Sequence, residues 1–178
     1  MTHKLALAVI AIGFLSACAP GPGSVDRGGK SSPTTILLLL HAETNPVYMD
    51  RLSARGLARA AALPDAIAGY RISTIYFSSF RRNYHTIKPL ADRLDLVPRP
   101  MPVHRKFYGV YEARQLGEKL LAEHRGETIL WVGTSLSVKA LYEGLEGPSH
   151  PPRGPGELVA LTVTETGSVA EAHLRFGD

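Results

Sequence analysis

Apolar positions along the chain fall into short continuous runs and longer helical-period stretches, and the two kinds alternate. Residues 35–40 form an unbroken apolar run, as a central strand buried on both faces requires. Residues 53–68 are alanine-rich with helical spacing, and Ser53 stands where an N-cap belongs. Pro64 is expected to kink or split that helix. Residues 72–77 read as a second strand. Residues 80–94 read as a helix that Pro89 interrupts. Residues 97–103 carry three prolines, which limits them to a short edge strand. A helix over 113–125 ends at Gly126, a buried strand covers 128–132 and a further helix covers 135–145. After a Gly/Pro loop over 146–156, residues 158–164 and 168–176 alternate as a hairpin about Thr166-Gly167.

Strands alternating with helices predict an α/β fold: three α/β/α layers around a mostly parallel sheet. Ligands of such sheets bind beyond the carboxyl ends of the strands. Two places qualify, His41 after the first strand and Gly133-Thr134-Ser135 after the 128–132 strand.

The N-terminus follows a different pattern. Lys4 precedes an apolar run over residues 5–15, too short for a hydrocarbon core that needs about 20 residues. The run ends in Leu15-Ser16-Ala17-Cys18, which resembles a lipobox. That resemblance implies a signal over residues 1–18, lipid modification at Cys18 and stable membrane anchoring through more than one acyl chain. Ala19 after the cysteine points to the periplasmic face of the outer membrane in a Gram-negative cell. Residues 19–33 are rich in Gly, Pro and Ser and form a tether of roughly 20 Å reach, leaving 34–178 as the folded domain.

Composition narrows the chemistry. The formal charge of +4 in 178 residues suits anionic small ligands or headgroups and is too weak to argue for nucleic acid. With Cys18 as its one cysteine the chain can form no internal disulfide. Its seven histidines show no metal-ligand spacing, and no dinucleotide fingerprint follows a strand, so no metal or cofactor is expected.

The segment Leu38-Leu39-Leu40-His41-Ala42-Glu43-Thr44 resembles the signature of the histidine phosphatase (phosphoglycerate mutase-like) superfamily, in its short phosphohistidine-phosphatase-like branch. The stretch from Leu52 to Ala60 resembles that family's next helix start. Ile75 to Arg82, with Thr86 and Pro89-Leu90-Ala91, resembles its second block, and Glu127 to Gly133 leads into its third. The resemblance implies a phosphoglycerate mutase-like fold, His41 as nucleophile and Arg82 as phosphate-binding arginine, with Thr44 and Thr134 beside the phosphate. The chemistry follows: a neutral imidazole attacks phosphorus, and cations neutralise the charge spreading over the transferring group.

Two positions depart from the family pattern. Leu40 stands where an arginine is expected before the histidine, and Thr134 where a second histidine is expected. Losing one charged donor typically costs 10²–10³ in rate, about 3–4 kcal/mol. The expectation is therefore a degenerate domain that binds a phosphorylated or anionic small molecule, or a phosphoprotein, with little turnover. The alternative is a working phosphomonoesterase passing through a phosphohistidine at His41, aided by His85 or by His104-Arg105-Lys106. A third reading takes Ser135, at a strand–turn–helix, as a hydrolase nucleophile, although Ser137 stands where that motif needs a second glycine.

Overall fold

The computed structural model describes residues 32–101 and 110–177. The expected signal with Cys18, most of the tether and the His104–Lys106 run lie outside the described residues.

Among the described residues, six strands form one sheet: β1 (Thr34–Leu40), β2 (Ile72–Ser78), β3 (Arg99–Met101), β4 (Thr128–Gly133), β5 (Glu157–Val163) and β6 (Val169–Arg175). Their spatial order is β3-β2-β4-β1-β5-β6. β3, β2, β4 and β1 run parallel, with Leu38 beside Trp131 and Leu40 beside Gly133. β5 and β6 add an antiparallel hairpin on the other side of β1. That hairpin turns at Gly167, whose φ of 82° suits glycine.

Among the described residues, four helices cover the two faces: α1 (Ala54–Ala66), α2 (Arg81–Leu94), α3 (Val110–Glu123) and α4 (Ser135–Gly144). The all-apolar first strand feeds both layers by simple alternation. Ile36, Leu38 and Leu40 pack with Leu116, Leu120, Val138 and Leu141 of α3 and α4. Leu37 and Leu39 pack with Leu63 of α1 and Ile87 and Leu90 of α2. The expected three-layer α/β/α arrangement is thus the observed one.

Local sequence explains most boundaries. Ser53 caps α1, its hydroxyl accepting from Gly56 N–H at 3.1 Å. Gly126, at φ 78°, follows the end of α3. Two expectations need correction. Pro64 and Pro89 both lie inside helices that continue past them, to Ala66 and Leu94. Each proline removes one backbone bond, but both helices dock an apolar face on the sheet, and that burial outweighs the lost bond. The edge strand over 97–103 is three residues long within its described part, as its prolines require.

Candidate active site

The carboxyl ends of β1, β4 and β2 meet at one end of the sheet. His41 leaves β1 there and stays tied to β4, its N–H donating to Gly133 O at 3.3 Å. Its Nδ1 lies 2.9 Å from the carbonyl of Ala42. A carbonyl only accepts, so Nδ1 carries the proton, and in the neutral ring Nε2 keeps its lone pair. Burial holds the imidazole below its ordinary pKa; the Ala42 carbonyl opposes this, and the Arg82 guanidinium adds to it. His41 is therefore a neutral imidazole with a fixed tautomer at neutral pH.

Arg82 comes from the first turn of α2, directly after β2. Its guanidinium sits 4.6 Å from the centre of the Phe80 ring, and Nη1 reaches Met49 O only at 3.5 Å. Its Nε is buried and has no hydrogen-bond partner among the described residues. A relay ties the backbone after His41 to that of Arg82: Ala42 N–H donates to Thr86 Oγ1 at 2.9 Å, and that hydroxyl donates to Arg82 O at 2.8 Å. The turn between β2 and α2 is held by buried Asn83, which donates to Ser78 O at 2.8 Å.

The loop after His41 is clamped by Glu43. Arg59, 3% exposed on α1, donates through Nε to both Glu43 carboxylate oxygens at 3.0 and 2.9 Å and through Nη2 at 2.7 Å. Its Nη1 donates to Phe176 O at 2.6 Å. The hydrogen bonds from Arg59 hold the Glu43 carboxyl below the usual carboxylate range. Gly56 lets α1 press on this loop, since a Cβ there would lie 2.1 Å from Glu43 O. Sequence reasoning gave Glu43 no partner and passed over Arg59. The signal was an arginine on the same helix face as Gly56, Ala60 and Leu63, which are all buried.

The remaining expected residues are placed as follows. Leu40 is 7% exposed and belongs to the apolar layer under α3 and α4. Thr134 reaches the site end of β4 but serves as N-cap of α4. Its hydroxyl accepts from Ser137 N–H at 3.3 Å, and Ser137 Oγ accepts from Thr134 N–H at 3.0 Å. Thr44 is half-buried and bridges Leu52 through its backbone. His85 lies edge-on to Tyr84, ring centres 5.7 Å apart. Ser135 opens α4 in an exposed position. Among the described residues, left-handed φ at non-glycine positions occurs at Asp95 and Glu146, so Ser135 lacks the strained backbone of a nucleophile elbow. No group of three or more His, Cys, Asp or Glu among the described residues is placed to hold a metal.

His41 at the end of β1 and Arg82 at the start of α2 thus stand at the same end of the parallel strands. Residues 49–114 match the model of the histidine phosphatase superfamily (branch 1), a stretch that holds Arg82 and stops short of His41 and Thr134. Solved structures share the fold. YhfR of Bacillus stearothermophilus aligns at TM-score 0.60 and 16% identity, over 78% of this chain and 95% of its own. The protein histidine phosphatase SixA, complexed with tungstate, aligns at 0.60 and 15%, over 79% and 96%. Phosphoserine phosphatase of Entamoeba histolytica, in complex with 3-phosphoglyceric acid, aligns at 0.59 and 15%, over 80% and 96%. No curated protein matches in sequence. The chain has the phosphoglycerate mutase-like fold of these phosphatases.

Proposed function

We propose that this chain is a histidine phosphatase superfamily domain that binds a phosphorylated or similarly anionic group at His41 and Arg82 and turns it over weakly or not at all. The observation that carries the reading is the Arg82 guanidinium at the same end of the sheet as a neutral His41, with a buried Nε donor that has no partner among the described residues. A buried charged donor without an acceptor is costly, and an oxyanion supplies the acceptors. The structural neighbours' complexes with tungstate and with phosphate are consistent with that ligand class.

Weak turnover follows from the electrostatics. His41 has the neutral form and open Nε2 that attack on phosphorus needs. The charge developing on the equatorial oxygens then meets Arg82, an apolar Leu40 and a Thr134 hydroxyl engaged in a helix cap. Two missing donors, each typically worth 10²–10³, imply a deficit of at least about 10⁴ if they act independently. Binding of tungstate to the purified chain tests the site. Micromolar affinity lost in Arg82→Ala is expected, and affinity unchanged by that substitution would overturn the assignment. The lipobox at Cys18 supports placement on a membrane: Cys18→Ala should move the protein from the membrane to the soluble fraction, and an unchanged distribution would refute the anchor.

A further inference from the structure

The surface around this site is apolar to a degree that an inorganic anion does not require. Val47, Tyr48 and Met49 are 75, 58 and 68% exposed, and Phe80 is 40% exposed. Single exposed apolar side chains are ordinary, but three in succession with an aromatic ring close by form a patch.

The patch is held rigid without using those side chains. Val47 and Tyr48 N–H groups donate to Asn45 Oδ1 at 2.9 and 3.0 Å, and Arg51 N–H donates to Tyr48 O at 2.9 Å. Asn45 N–H donates to Arg51 O at 2.9 Å. The backbone donors of Asn45, Val47, Tyr48 and Arg51 are therefore satisfied within the loop, which leaves less for pairing with a peptide backbone.

The patch also adjoins the anion site directly. Arg82 joins the two parts, with Nη1 on Met49 O at 3.5 Å and its guanidinium 4.6 Å from the Phe80 ring centre. A further cation flanks an apolar tip, Arg51 lying 5.3 Å from the Tyr48 ring centre, while Arg81 is paired with Asp50 at 3.9 Å. Guanidinium groups at the level of an anion, with aromatic and aliphatic tips beside them, suit the boundary between headgroups and acyl chains.

Resting on the anion-binding reading above, we propose that the occupant of this site is the phosphomonoester headgroup of a membrane-resident lipid. The phosphate meets Arg82 and His41, and Val47, Tyr48, Met49 and Phe80 lie against the start of the acyl chains.

Calorimetric titration of the full chain tests this with probes kept below micelle formation: dihexanoyl phosphatidic acid, inorganic phosphate, dihexanoyl phosphatidylcholine and a phosphoserine peptide. Phosphatidic acid should bind at least about tenfold tighter than phosphate, the effect of roughly two methylene groups leaving water. Phosphatidylcholine should bind more weakly than either. Val47→Ser combined with Tyr48→Ser should bring the ratio of phosphatidic acid to phosphate affinity within about threefold of unity and leave phosphate affinity unchanged. Equal binding of phosphate and phosphatidic acid by the native chain would overturn the lipid inference alone and leave the anion site standing. So would a ratio untouched by the double substitution, or a phosphopeptide binding as tightly as the lipid. Failure of phosphate and phosphatidic acid alike to bind would overturn the anion-site reading with it.

Discussion

Replacing Glu43 by alanine should destabilise the fold by about 3 kcal/mol, although the residue is neither apolar nor in the main core. Glu43 places a carboxylate against Arg59, whose side chain is 3% exposed, while its own side chain is 25% exposed. Taking one partner from a buried ion pair typically costs about 3–5 kcal/mol, because the other charge remains out of water. The partial exposure of Glu43 puts the effect at the lower end of that range. The second cation on the same carboxylate, Arg55 at 3.1 Å, is 74% exposed and adds little, as surface pairs do. Arg59→Leu in the Glu43→Ala background removes the buried charge, and the double variant should be more stable than the sum of the two single losses predicts. Urea unfolding of the four proteins gives the coupling energy directly. A loss below about 1 kcal/mol for Glu43→Ala, or strict additivity in the cycle, would refute the argument. The pH sign is equally definite. Arg59 holds the folded-state pKa of Glu43 below its ordinary value. The stabilisation is therefore complete above the ordinary carboxylate range and is lost as pH falls through the lowered value. The gap between native and Glu43→Ala proteins should close in acid.

Three further outcomes follow from the same geometry. Gly56→Ala places a Cβ 2.1 Å from Glu43 O, a backbone atom, and should lower stability by about 1–3 kcal/mol in denaturant unfolding; a neutral result would show that α1 does not need its close approach. The His41 ring should titrate below 6.5, chiefly through burial and also through Arg82, so an NMR titration of Arg82→Gln should show a rise. Because the unfolded chain then holds more protons, His41 weakens the fold as pH drops below 6.5, and an unshifted titration would contradict both statements. Leu40→Arg with Thr134→His should raise phosphatase turnover at a stability cost. The threonine cap contributes about 1 kcal/mol, and Leu40 leaves an apolar layer. Unchanged turnover in a folded double variant would show that charge is not what limits the site.

Elements whose physics is local were readable from the chain. The apolar run ending at Leu40 became the central strand, Ser53 became the cap of α1, and Gly167 became the hairpin turn. Pro64 and Pro89 misled, because local propensity sees the missing N–H and not the sheet against which Leu63, Ile87 and Leu90 pack. The site was half legible. His41 and Arg82 lie 41 residues apart along the chain, and the hydrogen bonds through Thr86 that tie their two segments follow from no spacing rule. The Glu43–Arg59 clamp was hidden for the same reason, since each residue alone reads as surface charge. Thr134 showed the opposite case: the sequence placed it at the site, and the structure engages its hydroxyl in the reciprocal cap with Ser137.

A site that holds a phosphoryl-type anion without the positive charge to transfer it should hydrolyse phosphomonoesters slowly. Steady-state hydrolysis of p-nitrophenyl phosphate by the purified native chain and by His41→Ala measures this. Native turnover should lie at least about 10⁴-fold below that of an active family enzyme assayed alongside. Brisk native turnover that vanishes in His41→Ala would contradict it.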